Sequence, residues 1–408
     1  MATHPPTGSL TNRWRDRTPL RAFLRAPRAS VLSAFVLAAT SFLLVARVHA
    51  ESRTVYFGTG GPGAKGIYRA AFDTTTGKLS AATLAAEVAS AGFLAVHPRG
   101  DRLYTTASLD GKIGAAAYRI EPSGNLTLIN AVASGDGAAA HIAVHPSGTF
   151  AVTAQYGGGS VAVYPIDGEG RLGTAQVIEH TDASRVVPKR QDAPHPHQCV
   201  FSPDGRFALV PDLGADGVVI YRVDPATAQL VRHGFATSVA GGGARHLRFA
   251  PEGRAFHLLN ELTLSVTTFA WDAAKGKATR GATVAALTAE EQAGEAFNSA
   301  AEIVAHPSGR WYYSSNRGHD TVAVFAAESA GVPLRRIQLQ PVRGAFPRNI
   351  ALAPGGGWLL AAGADSNTVS VHRVDPASGR LTYQTKGVIN VPAPICILFA
   401  GPTSGSVP

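Results

Sequence analysis

Apolar residues along this chain come in short runs, and the runs come in pairs. Six times an apolar stretch ends in a Pro-x-Gly turn and a second apolar stretch follows. The turns are Pro98-Arg99-Gly100, Pro146-Ser147-Gly148, Pro203-Asp204-Gly205, Pro251-Glu252-Gly253, Pro307-Ser308-Gly309 and Pro354-Gly355-Gly356. Their closing glycines recur every 47 to 57 residues. Runs this short, bounded by turn residues, predict antiparallel strands, and a period of about 50 residues predicts radially repeated sheets.

Each repeat has a second β-rich half that usually ends in an acidic residue, a Gly turn and Leu, as in Val218-Val219-Ile220-Tyr221 to Leu230. Seven such halves are present, beginning at Gly66-Ile67-Tyr68, against six Pro-x-Gly halves. The missing first strand is supplied by Ala393 to Phe399, at the other end of the chain. The pattern therefore predicts an all-β, seven-bladed β-propeller, closed by pairing of its N- and C-terminal strands around Val55-Tyr56-Phe57. Closure removes the open sheet edges that invite aggregation. Two linkers read as longer than the rest, Gln176 to Pro194 and Gly281 to Ser299, and Leu287 to Gln292 inside the second reads as a helical turn.

The first 50 residues differ in character. Arg13, Arg15, Arg17, Arg21, Arg25 and Arg28 precede an uncharged apolar run from Val31 to Val45, and Val48-His49-Ala50 offers a small-residue cleavage site. This predicts an export signal peptide over 1–50, no stable membrane span after its removal, and a mature domain over 51–408 that is periplasmic or secreted. Of the formal charge of +9, the leader carries +6 (seven Arg and one Asp), which leaves +3 for the rest. No nucleic-acid partner is expected from so mild a balance. The two cysteines, Cys199 and Cys396, occupy the same place in repeats that are not neighbours, which predicts two buried free thiols.

In antiparallel blades the start of the first strand and the end of the second lie at one edge. Counting from each turn glycine therefore collects the residues that ring one mouth of the propeller. Eight and seven positions before it stand Gly92-Phe93, Ala140-His141, His197-Gln198, Arg245-His246, Ala301-Glu302 and Arg348-Asn349. Seven and eight after it stand Asn260-Glu261 and Asn316-Arg317, among less polar pairs. So much His, Arg, Glu and Asn at one register predicts a shared pocket. Two guanidiniums can hold a carboxylate or phosphate and stabilise an oxyanion. A carboxylate and an imidazole can move protons. The histidines of the turns, His97, His145 and His306, read as structural caps at the opposite edge. No Cys/His spacing points to zinc, no cofactor is implied, and no Gly-x-Ser-x-Gly elbow supplies a serine nucleophile.

These stretches resemble the lactonase family of seven-bladed propellers, which includes propeller-type 6-phosphogluconolactonases and the fungal carboxymuconate lactonising enzyme. The likeness rests on Pro194-His195-Pro196-His197, Val210-Pro211-Asp212-Leu213-Gly214, Ala244-Arg245-His246, Leu259-Asn260-Glu261-Leu262, Ala301-Glu302-Ile303, Ser315-Asn316-Arg317-Gly318-His319-Asp320 and Pro347-Arg348. The resemblance implies a metal-independent catalytic set of His197, Arg245, Glu261 and Arg317. His195, His246, Asn260, Asn316, Glu302 and Arg348 are expected to contact substrate.

The expectation is a hydrolase for a sugar-type lactone, with a small-molecule lactone as partner. Arg245 and Arg317 would bind the acid and oxyanion, and Glu261, assisted by His197, would activate water. A muconate-type cycloisomerase using the same site, or a non-catalytic exported propeller binding a ligand or protein, are the alternatives. The sequence leaves the oligomeric state open.

Overall fold

A computed structural model describes residues 52–328 and 333–401, and the leader expected over 1–50 lies outside them. The described chain forms seven antiparallel sheets. Blade 5 shows the common plan, with strands Ala244–Phe249, Ala255–Asn260, Ser265–Asp272 and Lys277–Ala285 laid side by side in chain order. First strands of neighbouring blades pack against one another from blade 5 through blades 6, 7, 1 and 2 to blade 3. The first strands are Leu94–Val96, His141–Val144, Val200–Phe201, Ala244–Phe249, Ser299–Ala305 and Pro347–Leu352 in blades 2 to 7.

Blade 1 closes the ring. Its innermost strand is Pro394–Phe399, paired antiparallel with Ser52–Thr59 so that Val55 faces Phe399 and Phe57 faces Ile397. The closure expected from the sequence is thus present residue by residue.

The strands read as nearly unbroken apolar runs because each blade is buried on both faces. Side chains alternate along a strand, so neighbours in sequence pack against different blades. Tyr312 joins a core shared with blade 5, and Tyr313 a core shared with blade 7. Among the described residues seven such cores occur, one between each pair of adjacent blades. Cys199 and Cys396 are free, buried in two of them.

The turn histidines do more than cap their own turns. His97 Nε2 reaches the carbonyl of Gly148 in the next blade at 3.0 Å, and His145 Nε2 reaches that of Gly205 at 2.9 Å. Each ring also receives a backbone N–H from its own turn, from Arg99 and Ser147 respectively. The glycine is required on both counts: Gly148 has φ +75°, and a Cβ there would lie 2.5 Å from His97 Nε2.

The two linkers are shorter than expected. Gln176–Glu179 and Lys277–Ala285 are outer strands, because an edge strand half-exposed to solvent carries no apolar run to reveal it. The helical turn expected near Leu287 is Ala289–Ala293, with Thr288 and Glu291 forming a capping box. Among the described residues no helix is long and apolar enough to cross a membrane.

Candidate active site

The register counted from the turn glycines lines one cavity. Gly92, Ala140, His197, Arg245 and Arg348, all eight residues before a turn glycine, surround it with Phe93, Ala139, His246 and Ile395. Its volume is about 60 Å³.

Irregularities in the inner strands aim the key side chains inward. In blade 5, Ala244 pairs with Asn260 and His246 with Leu259, which leaves Arg245 as an extra, unpaired residue. In blade 7, Pro347 pairs with Gly363 and Asn349 with Ala362, which leaves Arg348 in the same position. These are β-bulges, which turn a side chain out of the alternation of its strand. In blade 4 the device is proline. Pro194 and Pro196 lack N–H groups, so pairing there shrinks to one bridge, Pro196 with Asp212, and regular strand begins only at Val200. His197 is fixed at this gap, its N–H donating to Pro211 O at 2.9 Å.

Of the four residues expected to act together, the structure joins Arg245, Glu261 and Arg317 directly, and His197 shares the cavity with Arg245. Glu261 is ion-paired with Arg245 and lies 3.2 Å from Arg317 Nη2. Arg245 Nε is further tied to Ala301 O at 2.7 Å, and Arg317 Nη2 to Ala300 O at 3.0 Å. A third guanidinium was not anticipated: Arg190 Nη2 donates to Glu261 Oε1 at 2.7 Å. It comes from the insertion before blade 4, which has no counterpart in other repeats, so counting from glycines could not index it. Gln191 anchors that insertion, with Nε2 donating to Leu213 O and Asp216 Oδ1.

Electrostatics separate the roles. Burial raises the Glu261 carboxyl, but Arg245 and Arg317, with the hydrogen bond from Arg190, override it and bring the pKa to about 2. Burial and the charge of Arg245 lower Arg317 to about 9 and Arg348 to about 10. Burial, then Arg245, His246, Arg348 and Arg317, hold His197 well below the usual imidazole value, so it is neutral at pH 7. Arg348 has neither a hydrogen bond nor an ion pair among the described residues. It is a guanidinium left uncommitted at the cavity wall.

Four of the expected substrate contacts lie outside the cavity lining. Asn260 and Asn316 are fully buried. The Asn260 amide donates to Ser265 and Thr267 and its carbonyl accepts from Ser238, while Asn316 donates to Thr321. Both tie strands together. His195 stacks on Tyr156 and bonds its backbone carbonyl at 2.9 Å, bracing the insertion. Glu302 is 1% exposed, behind His246 and not in the cavity wall. Among the described residues no group of three or more His, Cys, Asp or Glu is placed to hold a metal.

A second, wider groove of about 420 Å³ lies between residues 181–185 and the outer strand of blade 4. Its Arg232 is already paired with Asp182, and it holds no imidazole.

A seven-bladed ring whose cavity gathers two arginines and two imidazoles, Arg245, Arg348, His197 and His246, has the chemistry to hold a small anionic group. The sequence pattern described as Lactonase, 7-bladed beta-propeller matches residues 54–399, and the chain belongs to that family. It is 29% identical over 339 residues to the 6-phosphogluconolactonase of Bacillus subtilis (strain 168), covering 83% of this chain and 95% of that protein. Among solved structures it is similar to the periplasmic gluconolactonase of Pseudomonas aeruginosa, with a TM-score of 0.79 and 29% identity, covering 88% of this chain and all of that one. A protein from Lactobacillus plantarum superposes with a TM-score of 0.81 at 30% identity, over 86% of this chain and 100% of its own.

Proposed function

We propose that this protein hydrolyses a lactone bearing an anionic group, with His197 as general base and Arg245, Arg317 and Arg348 as the anion and oxyanion site. The observation that carries this reading is the uncommitted guanidinium of Arg348 sharing one small cavity with the neutral imidazole of His197. The sequence suggested Glu261 as the base with His197 assisting. A carboxylate with both oxygens on guanidiniums and a pKa near 2 favours the exchange of those roles. Glu261 holds the arginines in place, and His197 takes the proton.

In the reaction, His197 Nε2 removes a proton from water as its oxygen bonds to the lactone carbonyl carbon. The carbonyl oxygen becomes the oxyanion that a fixed guanidinium stabilises. The bond from that carbon to the ring oxygen then breaks, and His197 returns its proton to the leaving alkoxide. The product is a hydroxy acid, which ionises and releases one proton to solvent.

The relatives named 6-phosphogluconolactonase support a phosphorylated sugar lactone as substrate. Export is supported by the basic and apolar leader of residues 1–50 and by likeness to a periplasmic gluconolactonase.

The test is proton release by the purified protein with 6-phosphoglucono-1,5-lactone and with glucono-1,5-lactone. A charge-assisted guanidinium bond contributes about 1.5–3 kcal/mol, so kcat/KM should favour the phosphorylated ring by about 10- to 100-fold. Arg348→Ala should erase most of that preference. Equal values for the two lactones would refute the anionic preference, and release no faster than spontaneous opening would refute the activity.

A further inference from the structure

Behind His197 runs a buried line of side chains that the catalytic step above does not use. His197 Nδ1 lies 3.2 Å from His246 Nε2, and His246 Nδ1 lies 2.9 Å from Glu302 Oε1. Glu302 Oε2 accepts from Asn349 Nδ2 at 2.7 Å, and Asn349 Oδ1 accepts from the N–H of Ile397 at 2.9 Å. The line crosses from blade 4 through blades 5, 6 and 7 into the closing strand of blade 1. His246, Glu302 and Asn349 all stand seven residues before a turn glycine, one position after the register of His197, Arg245 and Arg348. His246 reaches the cavity wall, while Glu302 and Asn349 are buried behind it.

The bonds assign the tautomers. An ionised Glu302 only accepts, so His246 donates from Nδ1 and keeps a lone pair on Nε2. His197 must then donate from Nδ1, which leaves its Nε2 as the unprotonated nitrogen. We infer that Glu302 and His246 are positioning residues, a carboxylate–imidazole–imidazole relay that fixes the tautomer of His197 and stabilises its imidazolium during turnover. The inference rests on the reading of His197 as base.

The surrounding charges show why such a relay is needed. Arg245, Arg317 and Arg348 face His197 from blades 5, 6 and 7, and Tyr156 packs against its ring at 5.4 Å. His141 packs edge-on to His246 at 5.7 Å, and Arg248 Nη2 lies 3.4 Å from Glu302. Glu261 is already occupied by arginines. Among the described residues Glu302 is the carboxylate hydrogen-bonded to the imidazole pair, and so the one placed to offset a proton arriving on it. Burial raises the Glu302 carboxyl, yet His246, Arg248 and the N–H of Ile303 bring it below its ordinary range, so it stays ionised.

Imidazole ¹⁵N–¹H correlation spectra of the histidine-labelled full chain at pH 7 test the resting arrangement without any substrate. His197 and His246, assigned with His197→Gln and His246→Gln, are both expected as Nδ1–H tautomers. A proton on Nε2 of His197 would overturn the relay whatever lactone the protein opens. Kinetics test its use: Glu302→Gln keeps an acceptor for His246 but removes the charge. Turnover should fall about 100-fold, with KM within about threefold because Glu302 touches no substrate. The acid limb of kcat should move to lower pH. A KM-dominated loss with an unmoved limb would mean that Glu302 contacts substrate or only holds the fold. If Glu302→Gln does not fold, the wild-type spectrum alone still decides. Nδ1–H tautomers in a protein that opens no lactone would leave the relay standing and remove the hydrolase reading.

Discussion

Arg245, on the inner strand of blade 5, and Glu261, just past the end of the next strand, form an ion pair that is all but sealed from solvent, their side chains 4% and 5% exposed. Arg245 is the bulged residue of the inner strand, and Glu261 follows the last residue of the next. Two further guanidiniums, Arg190 and Arg317, reach the same carboxylate from an insertion and from blade 6. One negative charge thus gathers three elements around the mouth, and its first consequence is for stability.

Removing one partner of a buried ion pair costs about 3–5 kcal/mol, because the other charge is left buried and uncompensated. Glu261→Gln should therefore lower stability by about that amount in urea unfolding. The effect has a pH signature. The Glu261 pKa is depressed to about 2, so its contribution is complete above the ordinary value of 4.5 and is lost as pH falls towards 2. The gap between wild type and variant should narrow over that window. A gap constant from pH 6 to pH 3 would show that the charge is not its source.

His197 predicts the shape of the pH–rate profile. Burial and the three guanidiniums lower its pKa, and only the neutral ring can take a proton from water. The acid limb of kcat/KM should fall below pH 6.5. An anionic substrate on the arginines would offset their field, so the limb of kcat should lie at higher pH than that of kcat/KM. His197→Gln should cost about 10²–10⁴ in kcat. Coincident limbs, or a variant with full turnover, would count against the assignment.

The turns between blades make a prediction that needs no substrate. Gly148→Ala would suffer a positive φ and a Cβ 2.5 Å from His97 Nε2. Gly111→Ala would suffer a similar φ of +80° with open space around it. Backbone strain alone costs about 1–3 kcal/mol. Loss of the inter-blade hydrogen bond should add roughly 1 kcal/mol to the Gly148 variant only. Equal losses in denaturant unfolding would deny the histidine a role in joining blades.

Ring closure should be all-or-none. A chain ending at Val391 lacks the innermost strand of blade 1 and leaves Ser52–Thr59 as an open edge. It should elute as aggregate or unfold at much lower temperature, because an unpaired strand edge templates association. A monomeric truncation with unchanged Tm would show that blade 1 is complete without its C-terminal strand.

Seven blades, their closure by Ala393 to Phe399 and the mouth-facing register were all legible from apolar runs and turn glycines. A strand buried on both faces must be apolar throughout, and a turn that needs positive φ must carry glycine, so local chemistry wrote the repeat into the chain. The outer strands Gln176–Glu179 and Lys277–Ala285 were hidden because exposed edges need no such pattern. The register also picked out Arg245, Arg348 and His197 as one set. It could not say which way each side chain points, since that depends on bulges at Arg245 and Arg348 and on prolines before His197. Nor could it show that Arg190 closes on Glu261, that Glu302 stands behind His246, or that Asn260 and Asn316 are spent on neighbouring strands. Those are partnerships between residues up to 71 positions apart. Which of several equally suitable partners a charge finds is decided only when the blades are packed.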